Sequence, residues 1–314
     1  MKIVFFVKAK TIISVAMLVF LVYGSSTIYP QNAFEGYDLR YRPLLGGTQI
    51  EITKAAWYGP SFSKGFCSLG FPVNFTENNV RKYGYITAGH CIGTAYGGDY
   101  IDQPRKASWW DWSNFIGRGI RMADERIDNR ADAGLIRIEG SGHEGGVGKH
   151  IYEMGYIRYF RFHYPDFNKR VGILDVKTPL KEMESNEDYI LYKSGKTTGL
   201  TYGVVLQYDY RAKYRAGDLY PTLLITKLNP KNNTPYYDGP IVGYGDSGGP
   251  VYMRILIYPY YMPQYGAIIY GITTSFDPAR PNDPNYMVAS WAIKVKEIWP
   301  DISFITCGYG SSCW

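Results

Sequence analysis

From Leu44 onward the chain runs as short apolar or alternating stretches, each stopped by Gly, Pro, Asn or Asp. That punctuation constrains the fold more than any other feature. Strands of about 4–8 residues with turn residues between them pack as barrels or sandwiches, whereas helices need longer periodic stretches. Gln49–Thr53, Gly70–Val73, Tyr83–Thr87, Gly134–Ile138, Tyr189–Tyr192, Val204–Tyr208, Thr222–Thr226, Val251–Ile257 and Ala267–Thr273 all read as strands. The 31 Tyr and 35 Gly point the same way, since Tyr favours strands and Gly favours turns and bulges. The expected class is all-β. One stretch departs from the pattern: in Tyr286–Trp299, residues Met287, Trp291, Ile293, Val295 and Ile298 form an apolar face and Pro300 stops it, which predicts a helix. The charged stretch Val176–Asp188, with Pro179 inside it, reads as a linker between two halves.

The N-terminus reads as a targeting segment. Lys8 and Lys10 precede the apolar run Ile12–Tyr23, and the small residues Gly24, Ser25 and Ser26 follow. This is the order of a signal peptide. No charge occurs from Thr11 to Phe34, so residues 11–24 also read as an uncleaved membrane anchor. Either reading exports the rest of the chain, as a secreted protein or one tethered to the outer face of the membrane. The net charge of +6 does not mark a nucleic-acid binder: Lys2, Lys8 and Lys10 supply three of those charges, and no basic stripe interleaved with aromatics follows.

Four cysteines, Cys67, Cys91, Cys307 and Cys313, suggest disulfides behind an export signal. No CxxC pair points to zinc or redox chemistry. The parsimonious pairing is Cys67–Cys91 and Cys307–Cys313, though the sequence leaves connectivity open. The first bridge would close a loop of about 24 residues and contribute ~3 kcal/mol in the chain-entropy model. The Gly-rich run Gly140–Gly148 lacks the spacing of a phosphate loop, and His143, Glu144 and His150 read as loop residues before they read as metal ligands. No metal is expected.

Two motifs carry chemistry. Thr87-Ala88-Gly89-His90-Cys91 follows an apolar strand, and Gly245-Asp246-Ser247-Gly248-Gly249-Pro250 precedes another. Between them Asp132 opens the apolar stretch Ala133-Gly134-Leu135-Ile136, with Asp128 and Asp124 as nearby rivals. A serine hydroxyl is a poor nucleophile until a base within hydrogen-bond reach takes its proton. An imidazole titrates near working pH, and a buried carboxylate fixes its tautomer and stabilises its cation. The N–H groups of Gly245 and Ser247 are candidate donors to an oxyanion, because a glycine-rich turn lets them point inward.

On these residues the chain resembles the chymotrypsin-like serine peptidases, whose triad runs His, Asp, Ser along the chain. It is more similar to the bacterial branch of alpha-lytic protease and the streptogrisins. Cys67-Ser68-Leu69-Gly70-Phe71, Ser194-Gly195-Lys196-Thr197-Thr198-Gly199 and Leu45-Gly46-Gly47 match segments of that branch. The resemblance spans about Leu44 to Trp299. It implies two six-stranded antiparallel β-barrels (residues 44–180 and 181–300) after a leader (1–24) and a connector (25–43). A C-terminal helix and a disulfide-closed tail (301–314), read from the residues and, in the case of the tail, without a counterpart in the family, complete the chain. It also implies peptide-bond hydrolysis by His90, Asp132 and Ser247 through an acyl-enzyme, on polypeptide substrates, by a monomer that needs no cofactor. In that branch the cysteine before the catalytic histidine is bridged to the one after it, here Cys67 and Cys91.

Lys193 sits where the branch places a basic residue against the Asp before the nucleophile, here Asp246. A flanking disulfide of the branch is replaced by Tyr192 and Tyr202. The base of the specificity pocket falls on Ile241 and its wall on Thr273, Thr274, Ser275 and Phe276, with Phe276 where the family has Gly. An apolar Ile241 argues against cleavage after Lys or Arg and points to apolar or aromatic residues before the cut. The competing expectation is a barrel that binds polypeptides and has lost catalysis.

Overall fold

The computed structural model describes residues 39–41, 43–57, 59–106, 112–139, 148–152, 156–159, 162–165, 170–228, 239–258 and 264–307. The expected leader, most of the connector, His143, Glu144 and Cys313 lie outside the described residues. The strands are β1 (Gln49–Ala56), β2 (Gly59–Ser68), β3 (Pro72–Glu77), β4 (Val80–Thr87), β5 (Tyr100–Asp102), β6 (Phe115–Ala123), β7 (Ala133–Ile138), β8 (His150–Tyr152) and β9 (Tyr156–Tyr159). They continue with β10 (Phe162–Pro165), β11 (Arg170–Val176), β12 (Ile190–Gly195), β13 (Gly199–Lys213), β14 (Asp218–Lys227), β15 (Pro250–Tyr258), β16 (Gln264–Phe276), β17 (Tyr286–Trp291) and β18 (Ser303–Phe304). The helix α1 is Lys294–Ile298.

The first sheet runs β18-β3-β4-β7-β6-β5-β1-β2. It closes through the bend that joins β2 to β3. Leu69 N–H donates to Thr48 O beside β1 (2.8 Å), while Gly70 N–H donates to Ile86 O on β4 (2.8 Å) and Ile86 N–H to Phe71 O (2.9 Å). Counting the bent β2–β3 as one strand, six strands form the ring. The second sheet closes outright, because β15 pairs with both β12 and β16; the ring is β12-β13-β14-β17-β16-β15. Closure removes the unpaired edges that an open sheet of this length would expose. Outside the second ring, β11 adds to β16 in parallel and β8 to β11 antiparallel. The stretch 177–189 leads from β11 to the first strand of the second ring, and β9 and β10 form a separate hairpin.

Each ring is filled by its own apolar side chains: Ile50, Ile52, Leu69, Tyr85, Ile116 and Ile136 in the first, and Leu191, Val205, Leu223, Val251, Ile268 and Met287 in the second. A further cluster draws on both, with Phe71, Phe75 and Ile86 from the first sheet packed among Val171, Ile173, Tyr252 and Ile269 from the second. After the second ring the chain returns to the first. β18 pairs with β3, the Phe304 ring stands edge-on to Phe71 (centroids 5.7 Å apart), and Asp301 accepts two hydrogen bonds from Arg121 (2.6 and 2.8 Å).

The expected Tyr286–Trp299 helix is corrected. Residues 286–291 form β17, bonded to β14 on one side and β16 on the other, and only Lys294–Ile298 is helical. Met287, Val288, Ala289 and Ser290 are all buried. A strand buried on both faces shows no alternation and cannot be told from a buried helix by period alone.

Phe71 is 1% exposed and packs in the cluster shared by both sheets. Phe71→Ala is expected to cost about 3–5 kcal/mol, read as a lower urea midpoint at unchanged slope.

Candidate active site

The register of β4 and β7 explains why His90 and Asp132 meet. Thr87 lies opposite Gly134 in this antiparallel pair. Continuing past Thr87 and stepping back before Gly134 lead toward the same rim of the ring. His90 sits in a 3-10 turn, Gly89–Cys91, which the Cys67–Cys91 disulfide ties to β2. Cys307 is also disulfide-bonded, while its expected partner lies outside the described residues.

His90 Nδ1 is 2.8 Å from Asp132 Oδ2, and the His90 backbone N–H donates to Asp132 Oδ1 (3.0 Å). The two bonds fix both the ring and the turn that carries it. With Nδ1–H committed to the carboxylate, Nε2 is the acceptor. The Asp132 side chain is fully buried and that of His90 is 36% exposed. Burial pushes the His90 pKa down, but the Asp132 charge and hydrogen bond outweigh it, and the net shift is upward from 6.5. The rival acids are taken elsewhere: Asp124 pairs with Arg126 (2.5 Å) and Asp128 with Arg130 (2.6 Å).

Ser247 stands on the turn before β15. Its backbone carbonyl accepts from Ser68 N–H (2.8 Å). Gly248 has φ +89°, and a Cβ there would lie 2.1 Å from Thr87 Oγ1 and 2.9 Å from Ala88 N. Only glycine lets the Ser247 turn press against the end of β4, directly before the His90 turn. The Ser247 hydroxyl donates to Thr274 O (2.9 Å) and, among the described residues, makes no hydrogen bond to His90.

Gly245 has φ +97°, the left-handed region that glycine tolerates without cost. Next to it, Asp246 is fully buried, and its carboxylate collects five donors. Lys193 Nζ (2.8 Å), Gly243 N–H (2.9 Å) and Thr198 Oγ1 (2.6 Å) reach Oδ2, while Thr197 N–H (2.7 Å) and Thr198 N–H (3.1 Å) reach Oδ1. Lys193 is 1% exposed and also donates to the Thr198 hydroxyl. Burial lowers the Lys193 pKa from 10.5, with Asp246 opposing that shift. The roles of Thr197 and Thr198 are not marked in the sequence except by the Thr198 hydroxyl, which lies five residues beyond the lysine matched to Asp246 and so was a signal for a carboxylate cradle. Tyr192 and Tyr202 face each other across β12 and β13, with ring centroids 5.8 Å apart.

Among the pocket candidates, Ile241 is 1% exposed and packs into the core of the second ring. Thr273 is fully buried, its N–H bonded to Gly249 O (2.9 Å). Thr274 Oγ1 is buried without a partner among the described residues. Ser275 Oγ donates to Phe276 O (2.7 Å) and so accepts from Tyr214 OH (2.8 Å). The Phe276 ring meets Tyr244 edge-on (5.2 Å), and Tyr244 is 74% exposed. Among the described residues no group of three or more His, Cys, Asp or Glu stands together to hold a metal ion.

Lys193→Met would leave the Asp246 carboxylate buried without its cation. The expected cost is about 3–5 kcal/mol, together with loss of the turn around Gly245. Denaturation and hydrolysis assays on the variant check both.

No family model and no curated protein matches the sequence. Among solved structures the chain is similar to a glutamic acid specific serine protease (16% identity, TM-score 0.48, 83% of this chain and 100% of that one). It is also similar to Thermobifida fusca protease A (15%, 0.46, 83% and 98%) and to alpha-lytic protease homolog N4 (13%, 0.47, 82% and 97%).

Proposed function

We propose that the chain is a serine endopeptidase in which His90 is the general base, Asp132 its orienting carboxylate and Ser247 the nucleophile. One observation carries the reading: a buried carboxylate grips an imidazole through Nδ1, and the glycine that follows Ser247 packs against the residues that lead into that imidazole's turn. For attack, the Ser247 hydroxyl leaves Thr274 O and turns its proton to Nε2 of His90. The oxygen then adds to the substrate carbonyl carbon as the proton passes to His90. Charge on the former carbonyl oxygen is met by the N–H groups of Gly245 and Ser247. The imidazolium returns the proton to the leaving amine, and water repeats the sequence to hydrolyse the acyl-enzyme. Polypeptides are the substrates, acted on by a monomer that is secreted or tethered outside the membrane. The apolar surroundings of Ile241 and the Phe276–Tyr244 ring pair favour apolar or aromatic residues before the cut.

The second reading, a barrel that binds polypeptides without cutting them, draws on the hydrogen bond that holds the Ser247 hydroxyl away from His90. Covalent labelling separates the two. A fluorophosphonate is expected to modify Ser247 in the native protein and to fail after His90→Ala. Ser247→Ala is expected to lower turnover by up to about a million-fold. Native protein that is neither labelled nor active on a peptide library would remove the peptidase assignment.

The raised His90 pKa sets the pH dependence. Catalysis needs neutral imidazole, so kcat/KM is expected to rise with pH through a midpoint above 6.5, the ordinary histidine value. In Asp132→Asn burial remains while the raising carboxylate is gone. The limb then moves to lower pH and the rate falls by about 10⁴-fold, both read from a pH–rate profile.

A further inference from the structure

We infer that Thr197 is a positioning residue, whose hydroxyl aims the Gly245 N–H at the oxyanion. The inference rests on the peptidase reading above and names a part of that site which the triad does not include.

The peptide that joins Tyr244 to Gly245 is planar and trans. The carbonyl of one residue and the N–H of the next point in opposite directions across the C–N bond. The Gly245 N–H therefore points opposite to the Tyr244 carbonyl, and whatever fixes the one fixes the other. Thr197 Oγ1 donates to Tyr244 O, and among the described residues that is the hydrogen bond this carbonyl makes. The following carbonyl, Gly245 O, is held separately by Ser68 Oγ (2.8 Å). Between them lies a glycine, the residue least able to resist a peptide flip by its own sterics. Tyr244 is 74% exposed, so a carbonyl released by Thr197 has water to turn to.

Thr197 is itself well fixed. Its N–H donates to Asp246 Oδ1 (2.7 Å), and its methyl lies against Gly243, where a Cβ would be 2.9 Å from Thr197 Cγ2. A β-branched side chain held at both backbone and methyl has little χ1 freedom. Its hydroxyl thus passes the rigidity of the buried Lys193–Asp246 pair to a peptide that lies outside that pair.

Thr197→Val keeps the shape and the backbone bond and removes the hydroxyl alone; Thr197→Ser keeps the hydroxyl. For the valine variant kcat is expected to fall by about 10- to 100-fold, a fraction of what loss of a whole oxyanion donor costs, with KM within about twofold. The inhibition constant of a peptide aldehyde, whose adduct carries the tetrahedral oxygen, should weaken by the same factor as kcat. Thr197→Ser should restore both to within about threefold. If the valine variant does not fold, Thr197→Ala is measured with the same expectations. Unchanged kcat, a loss confined to KM, or an equal loss in the serine variant overturns the inference. Failure of the native protein to cleave peptides or take label would instead overturn the peptidase reading, so the two failures are distinct.

Discussion

Lys193 and Asp246 are both shut away from water, and the turn that carries Ser247 is built around them. A lone charge in such a place costs several kcal/mol, so neither residue is tolerable without the other. The pair is completed by the N–H groups of Gly243, Thr197 and Thr198 and by the Thr198 hydroxyl, which draw two separate chain segments onto one carboxylate. Asp246 is covalently flanked by Gly245 and Ser247. Where its carboxylate is anchored, the Ser247 N–H and side chain are placed as well, while the Gly245 N–H belongs to the next peptide out, whose carbonyl Thr197 holds. The cation comes from within the barrel wall, on β12, so the turn is held by residues already interior to the sheet.

Barrel closure does the rest of the positioning. His90 and Asp132 leave one rim of the first ring because Thr87 and Gly134 are register partners. Ser247 and Thr274 leave one rim of the second because Pro250 is opposite Ile272. Glycine at position 248 then allows the two rims to touch. Hydrogen-bond register thus brings His90 to Asp132 and sets the Ser247 turn against the end of β4, and the Lys193–Asp246 pair fixes that turn from within.

Much of this was legible before the fold. The two glycine-bearing motifs marked His90 and Ser247 as candidates, because few other uses exist for such residues in such turns. The lysine opposite Asp246 was legible only through the family resemblance. Asp132 was harder: three acids lie close together, and in the sequence only the apolar stretch after Asp132 sets it apart, whereas the structure shows Arg126 and Arg130 capturing the other two. β17 was misread because both of its faces are covered, which erases the alternation that marks a half-exposed strand. The hydroxyl of Thr197 was invisible for another reason. Its partner is a backbone carbonyl, and backbone acceptors leave no trace in side-chain pattern.

The return of residues 301–307 to the first sheet has a kinetic side. β18 covers an outer strand of a barrel whose other members were made more than 150 residues earlier in the chain, since β7 ends at Ile138 and β18 begins at Ser303. During synthesis the earlier barrel is therefore made with β3 uncovered and Phe71 lacking its ring partner until the later barrel has emerged. Maturation of the two halves is coupled through this late strand, and an interrupted chain would present an adhesive sheet edge to its neighbours.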